Sequence, residues 1–288
     1  MRAHQAWLDK APDGHRADFS GLTLNEAKFA NENLSGALLI GTTLLDADMI
    51  GVNLEDANLD QADLQRANLS GANLAGTSLH STRLAGAWMT NVNLCEAKSQ
   101  YASFKRATLK GARCSGFSAH ECSFREALLN EASFHQAKIY DVDFQDADMS
   151  GIHLYHARLQ HSKLAGVNLI MANCTNAKLD HCSFAKGTLT HVKFNRAEIT
   201  QCIFWDTDLR NCDFREARLR GGDFTRAVLE GARFGRAQMH TCDFRGANLK
   251  GAKEMTSEQL MHSLTDARTI LPNGKNGPYM KGSGAERG

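Results

Sequence analysis

Chain breakers and linkers are scarce in this sequence. Only 3 of its 288 residues are proline, and Pro272 and Pro278 both lie in the last part of the chain. No stretch rich in Pro, Gly or Ser divides the sequence before them, and domain boundaries usually fall in such stretches. The composition therefore favours one structural unit over most of the chain.

Motifs of catalysis are also lacking. The chain has no G-x-x-x-x-G-K-[ST], G-x-G-x-x-G, H-E-x-x-H or G-x-S-x-G, which excludes the common nucleotide, zinc-protease and serine-hydrolase sites. Its 8 Cys form no C-x-x-C pair and no zinc-ligand spacing. We expect neither enzymatic activity nor a resident cofactor.

A large excess of charge of one sign and long apolar runs are absent as well. The formal net charge is +1, so non-specific attraction to nucleic acid or to an anionic membrane is weak. No run approaches the roughly 20 apolar residues of a membrane span, and the opening MRAHQAWLDK has no signal-peptide core. We expect a bacterial-type cytoplasmic protein with reduced thiols, and export that needs no signal peptide stays open.

A five-residue repeat fills most of the chain. From Phe19 to Leu249 every fifth residue is Leu, Phe, Met or Ile, and the exceptions are Ser99, Cys114, Ala119 and Cys174. The residue two places before each of these is most often Ala, so the unit reads A-(D/N)-(L/F)-X-X. This period fits neither the 3.6 of a helix nor the 2.0 of a strand.

A period of five requires a chain that turns a corner every five residues. Four short sides then make a square coil of about twenty residues, and coils stack at about 4.8 Å, the hydrogen-bonding distance between strands. The large residue and the small residue two before it point inwards, and the other three point outwards. Residues twenty apart share a column, which predicts an internal ladder of Phe184, Phe204 and Phe224.

This pattern resembles the pentapeptide-repeat family, and the resemblance covers residues 17–252. It implies an all-β solenoid, a right-handed quadrilateral β-helix, here with about 11–12 coils and a short C-terminal α-helical cap. The resemblance is specific for the fold and says little about function, because one fold serves many functions.

Segments outside the repeat are expected to cover the open ends of the solenoid, whose strand edges need capping. Residues 1–16, with Trp7 and Leu8, form the expected N-terminal cap. Residues 253–271 form the C-terminal cap, in which Thr256-Ser-Glu-Gln259 reads as a capping box before a helix over about 257–267. Residues 272–288 are polar and Gly-rich, which predicts a flexible tail.

One inward column is rich in cysteine. Cys122, Cys182, Cys202 and Cys242 are separated by multiples of twenty residues. Cys182 and Cys202 fall on neighbouring coils, where parallel Cβ vectors disfavour a disulfide. We expect buried, reduced thiols that replace Ala as small apolar residues.

One outward column suggests a metal site. It places His161 and His181 on successive coils, with Asp141 one coil before them and Asp180 alongside. Imidazole and carboxylate are ligands of divalent metals, so His161, His181 and Asp141 are the candidate ligands. The alternative is a solvated polar ladder without a metal.

Candidate partner-binding residues are apolar side chains at outward positions. Leu38, Ile40, Leu45 and Ile50 all fall around the second coil, where the N-terminal cap or a partner could cover them. Trp205 follows the inward Phe204.

Tyr101 lies beside an irregularity of the repeat. Ser99 and Ala119 occupy central positions there, and Phe117 occupies a small-residue position. Redistributed packing volume is one interpretation of this exchange, and a binding groove is the other.

These observations favour a non-catalytic scaffold that binds another protein along a rigid wall. The opening, His4…Trp7-Leu8 followed by Ala17-Asp18-Phe19-Ser20-Gly21, is similar to repeat arrays associated with bacterial secretion, which implies an accessory or effector role.

The alternative function is that of a DNA mimic that binds DNA gyrase or another topoisomerase, as family members do in antibiotic resistance or self-protection. Imitating a phosphate backbone needs a dense acidic stripe. The acidic cluster of this chain, Glu55, Asp56, Asp60 and Asp63, has too few carboxylates to form one. We expect no direct nucleic-acid binding, and a homodimer stays open.

Overall fold

A computed structural model describes residues 2–286. The chain divides into two compact units, Met1–Lys138 and Ile139–Gly288. The division falls inside the repeat region, where no Pro- or Gly-rich stretch marks it. Each unit is built as a parallel β-solenoid, which confirms the fold predicted from the five-residue period.

Helices and strands are short because a corner every five residues leaves little straight chain. The elements, in chain order, are α1 (Arg2–Leu8), β1 (Lys98–Gln100), β2 (Ser118–His120), β3 (Lys138–Tyr140), β4 (Arg158–Gln160), β5 (Lys178–Asp180), β6 (Glu198–Thr200), β7 (Arg218–Arg220), β8 (Gln238–His240), β9 (Cys242–Asp243), α2 (Ser257–Met261) and β10 (Ser263–Leu264). Within the described residues, no helix lies between α1 and α2, as the period predicted.

Coils stack in parallel with a register of twenty residues. In the first unit β1 pairs with β2, with Ser99 opposite Ala119. In the second unit β4 to β8 pair in order, with Leu159 opposite Leu179 in the first pair. Single bridges such as Ser183–Ile203 join the other sides in the same register.

We number the four sides of a coil by the residues at their centres. In the first unit one coil has sides centred on Leu39, Leu44, Met49 and Leu54, all fully buried. In the second unit the first to fourth sides are centred on Leu179, Phe184, Leu189 and Phe194, and on the residues a multiple of twenty away in that unit.

Most corners are tight turns closed by one hydrogen bond. The backbone N–H of Ala57 donates to the carbonyl of Leu54 at 2.9 Å, and Asp56 between them has a φ of 55°. A positive φ at the third residue of a turn is typical of type II, which favours glycine. The equivalent residue one coil later is Gly76, and its lack of Cβ leaves room for the Asp56 carboxylate.

Aromatic rings fill the second unit in ladders. The Phe204 ring stacks on Phe184 at 5.0 Å and on Phe224 at 4.8 Å between centroids, nearly parallel to both. Phe194 meets Phe204 edge to face at 6.3 Å. These contacts confirm the predicted ladder on the second side.

The N-terminal segment folds against the first coils. His4 of α1 is buried, and its Nδ1 accepts a hydrogen bond from the backbone N–H of Ala17 at 3.1 Å. The Trp7 ring stacks on His4 and lies against Gly36. The Arg16 guanidinium covers the Trp7 ring at 5.8 Å.

The C-terminal segment satisfies carbonyl groups at the last regular coil. Thr256 caps α2, and the predicted capping box with Gln259 is present. The Gln259 side-chain amide donates to the carbonyls of Phe234 and Ala237, both at 2.9 Å. The Thr269 hydroxyl donates to the carbonyl of Phe244 at 2.9 Å.

Helix α2 ends earlier than the sequence predicted. The helical spacing of Leu260, Leu264 and Ala267 suggested a helix to about residue 267, but α2 ends at Met261. Ser263 and Leu264 pair instead with Cys242 and Asp243. Pairing with the open strand edge satisfies backbone groups that a longer helix would leave exposed, so the edge decides the conformation.

Residues 272–286 also differ from the predicted flexible tail. The backbone N–H of Asn273 donates to the carbonyl of Ala285 at 3.1 Å, and Ala285 is buried. The backbone N–H of Tyr279 donates to the Thr265 hydroxyl at 2.9 Å. The polar composition was misleading because this segment packs on the capping segment rather than forming a core of its own.

Candidate functional site

Outward side chains are held at defined places by the backbone ladders. Each corner carries a residue with positive φ, including His161 and His181, both at 51°. These two residues directly follow β4 and β5, which pair with Gln160 opposite Asp180. The same register therefore places both imidazoles at equivalent points of neighbouring coils.

His161, Asp180 and His181 form the histidine group, a cluster at the corner between the first and second sides. The two imidazole rings stack with centroids 5.0 Å apart and planes inclined by 29°. His181 Nδ1 lies 2.9 Å from Asp180 Oδ1. One nitrogen or oxygen atom from each of the three residues lies within 4.8 Å of the others.

The carboxylate grouped with the two imidazoles is that of Asp180. The sequence named Asp141 as the candidate carboxylate ligand because it shares a column with both histidines, and it placed Asp180 alongside. The backbone N–H of Asp141 donates to the carbonyl of Gln160 at 3.0 Å. Asp141 as a metal ligand stays a prediction.

The cysteine column is buried and unpaired, as the sequence predicted. Cys182 and Cys202 are free thiols with no exposed surface. Burial raises the pKa of the Cys202 thiol well above its usual value, and burial raises the pKa of Cys174, on another side, to about 12. Thiolates are the reactive form of cysteine, so these side chains act as packing residues.

The irregularity near Tyr101 is filled rather than open. Phe117 is fully buried and meets Phe104, Phe124 and Phe134 edge to face at 6.1–6.5 Å between centroids. Redistributed volume is therefore the better interpretation, and no groove is needed. Tyr101 itself is 51% exposed.

The apolar residues of the second coil do not form one patch. Leu38 and Ile40 flank the first side, Leu45 follows the second, and Ile50 follows the third. Residues five apart in this fold lie on different sides, so closeness in sequence was misleading. Ile40 and Ile50 are exposed and the two leucines are half-buried.

Trp205 lies in a different setting from these isolated residues. Its indole is half-buried between the Lys186 ammonium, 5.2 Å from the ring, and the Arg226 guanidinium, 5.3 Å from the ring. Ile203, on the same side, is 41% exposed. We call Lys186, Ile203, Trp205 and Arg226 the Trp205 cluster.

A basic depression on the second unit was missed in the sequence. It has a volume of about 560 Å³. It is lined by Met171, His191, Lys193, Asn211, Asp213, Gly231, Arg233 and Lys253. The signal was available, since Lys193, Arg233 and Lys253 share one outward column.

These features define a class of protein, a filled β-solenoid that presents outward side chains on flat walls. Family models described as pentapeptide repeat region match residues 97–175, 117–194 and 177–253, and models of pentapeptide repeats in eight copies match residues 17–56 and 57–94. The chain belongs to the pentapeptide-repeat family.

Solved structures resemble the chain in fold. HetL from the cyanobacterium Nostoc sp. strain PCC 7120, a pentapeptide repeat protein involved in heterocyst differentiation regulation, is 22% identical over 95% of this chain and 97% of its own, with a TM-score of 0.25. QnrB1, a plasmid-mediated fluoroquinolone resistance protein, is 16% identical over 66% of this chain and 89% of its own, with a TM-score of 0.34.

A third solved structure, a pentapeptide repeat protein from the thylakoid lumen of Arabidopsis thaliana, is 31% identical over 35% of this chain and 61% of its own, with a TM-score of 0.21. No curated protein matches the sequence. Between residues 2 and 286, the structure has no helix long and apolar enough to cross a membrane.

Proposed function

We propose that the protein is a non-catalytic scaffold that binds another protein through the Trp205 cluster. The observation that carries this proposal is the indole of Trp205 held between two cations on the wall of the second unit. Trp and Arg are the side chains that most often dominate binding energy at protein interfaces.

The cluster is pre-ordered by its surroundings. The backbone N–H of Lys186 donates to the Trp205 carbonyl at 3.0 Å, and that of Phe204 donates to Asp223 at 2.7 Å. Directly beneath, the Phe204 ring is fixed in its ladder. A side chain already held in place loses less conformational entropy when a partner binds.

The charges of the cluster indicate the chemistry of the partner. Arg226 is paired with Asp206 at 2.9 Å, whereas Lys186 forms no ion pair with any residue between 2 and 286. An apolar partner residue next to a carboxylate would contact Trp205 and Ile203 and pair with Lys186. We infer a partner surface that is acidic at its rim and apolar at its centre.

Mimicry of a DNA duplex is less well supported. Asp63 is paired with Arg83 at 2.5 Å, and Asp60 accepts hydrogen bonds from the hydroxyl of Ser78 and the backbone of His80. Glu55, Asp60 and Asp63 follow or flank different sides of the coil, so these carboxylates do not form one stripe. The charges are arranged for internal pairing.

Quantitative affinity capture from the native host tests the proposal. Full-length protein is compared with Trp205→Ala and Lys186→Glu, and the control is Trp88→Ala, which removes an exposed Trp of the first unit. We expect one partner to be depleted at least tenfold by both cluster variants and retained by the control. Equal recovery with all four proteins would contradict the proposal.

The identity of the captured partner separates the remaining roles. A component of a secretion system would support an accessory or effector role. Capture of gyrase that is unaffected by Trp205→Ala, together with inhibition of supercoiling by the purified protein, would instead establish the alternative.

A further inference from the structure

We propose that His161, Asp180 and His181 bind one divalent transition-metal ion, of the class of Zn²⁺, on the surface of the second unit. Nitrogen and oxygen ligands from three side chains converge within 4.8 Å. Two neutral imidazoles and one carboxylate make a ligand set typical of zinc, with a fourth position left for water or a ligand from a partner.

The backbone holds the three residues in a fixed arrangement. The N–H of His161 donates to the carbonyl of Asp180 at 2.9 Å, and that of His181 donates to Thr200 at 2.9 Å. Both histidines have the same left-handed backbone conformation, so their side chains leave the corner in parallel. Folding therefore already accounts for most of the conformational entropy lost in bringing the two histidines together.

The side chains must rotate to bring their ligand atoms onto one metal. Zinc binds His nitrogen and carboxylate oxygen at about 2.0–2.2 Å, so ligand atoms in a site lie closer together than 4.8 Å. The imidazoles are stacked with ring centroids 5.0 Å apart, so their in-plane nitrogen lone pairs must be turned towards a common point by rotation about χ1 and χ2. Both histidines are exposed and Asp180 is half-buried, so the χ angles can adjust without disturbing the core.

Asp180 has a second effect on the site. Its Oδ1 lies 2.9 Å from His181 Nδ1, which restrains the orientation of the His181 ring. Carboxylates that hydrogen-bond a ring nitrogen are recurrent supports of metal-binding histidines. In the proposed site Asp180 is itself a ligand, so coordination takes the place of this hydrogen bond.

The site shares a wall with the Trp205 cluster but does not depend on it. His181 begins the second side of its coil, and Lys186 follows the same side at the next corner. A metal at the first corner adds positive charge to this wall, which would strengthen its attraction for acidic partners.

Titration of full-length protein with Zn²⁺ by calorimetry, and with Co²⁺ by visible absorption, tests the inference. A reductant is included, and the fold of each variant is checked by circular dichroism. We expect one ion per chain and at least a tenfold loss of affinity in His161→Gln, His181→Gln and Asp180→Asn. The matched control is His153→Gln, an exposed histidine on another side.

Several outcomes would overturn the inference. These are the absence of saturable Zn²⁺ and Co²⁺ binding, an unchanged affinity in His161→Gln, or a loss in His153→Gln as large as that in the three ligand variants. Trp205→Ala should leave metal affinity unchanged, so this result separates failure of the metal site from failure of the proposed partner-binding function.

Discussion

The two units carry different side chains on the same outward position, the one directly before the centre of the fourth side. In the first unit this position holds Asn33, Asn53, Asn73 and Asn93 before Arg113 and Ser133, and each of the last three amides donates to the one before it at 2.7–3.1 Å. In the second unit the position holds His153 and Asn173 and then Lys193, Asp213, Arg233 and Lys253, and the basic depression lies along the last four.

An amide can donate to and accept from an identical neighbour, so a column of asparagines forms a continuous ladder. A column that mixes Lys, Asp and Arg lacks this property, because a carboxylate only accepts hydrogen bonds and a Lys or Arg head group only donates them. Asp213 is instead held by Arg215, two residues along the chain, through two hydrogen bonds of 2.9 and 2.6 Å. Lys193, Arg233 and Lys253 therefore line the basic depression without forming such a ladder.

The cores of the two units also differ in their side chains. Leu fills most central positions of the first unit, whereas the second unit has stacked Phe. The five-residue backbone accepts either residue because each side needs one large and one small inward side chain. The comparison teaches that the backbone sets the register, while the choice of side chain sets local rigidity and surface chemistry.

The largest expected effect concerns thiol reactivity. Cys95 in the first unit is partly exposed, whereas the five cysteines of the second unit are buried. Ellman's reagent should react with one thiol per native chain, and burial should slow the others by orders of magnitude until the protein unfolds. Rapid reaction of Cys182 or Cys202 in the native state would show that the second unit opens more readily than its packing implies.

Removing a ring from the Phe ladder should have the largest effect on stability. Phe204→Ala leaves a cavity between rings that the backbone ladders hold in place, so we expect the free energy of unfolding to fall by about 3–5 kcal/mol. Denaturant unfolding measures this value. Leu64→Ala in the first unit, also fully buried, should lose no more than Phe204→Ala.

Trp205→Ala is the control for the register of the repeat. Trp205 follows Phe204 directly but faces outwards. Its replacement should remove only the contacts with the two cations and lower the free energy of unfolding by about 1 kcal/mol. A monomeric protein destabilised more by Trp205→Ala than by Phe204→Ala would place the wrong residue inside the solenoid.

The amide ladder predicts an intermediate effect. Asn73→Ala removes the donor to Asn53 and the acceptor for Asn93 and for the backbone of Ala75, and we expect a loss of about 1–2 kcal/mol. Thermal unfolding provides the measurement. Asn33→Ala, at the end of the ladder, should cost less, and equal losses would mean that the ladder is not cooperative.

The smallest expected effect is that of Asp213→Asn, which gives the second unit the residue found at this position in the first unit. Burial raises the pKa of the Asp213 carboxyl, but hydrogen bonds from Arg215 and Asn195 outweigh it and lower the pKa to about 2. A carboxyl whose folded pKa lies below its unfolded value stabilises the protein above pH 4, and this contribution is lost as the pH falls towards 2.

Asp213→Asn should therefore lower stability by less than about 1 kcal/mol at pH 7, since the pair is partly exposed. The difference from the wild type should shrink as the pH falls from about 4 to about 2. Unfolding at several pH values measures it, and a difference independent of pH would assign the effect to packing rather than to charge.

Parts of the candidate sites were readable from the sequence. The twenty-residue coil repeat predicted that His161 and His181 lie next to each other. The five-residue phase predicted that Trp205 faces outwards and Phe204 inwards. The contact between Asp180 Oδ1 and His181 Nδ1 was not readable from the sequence, because it depends on side-chain rotation. Nor did closeness in sequence reveal that Ile40 and Ile50 occupy different sides.

The sequence by itself determined the solenoid, its register and its buried residues, because a five-residue period admits one inward set and any slip would expose it. The tertiary structure alone decided the ends and the surface. The open strand edge ended α2 at Met261 and drew residues 263–264 into a further strand, since unpaired backbone groups at an edge outweigh local helical propensity. Contacts between coils decided which outward side chains meet, because those contacts depend on side-chain rotation, which the repeat leaves free.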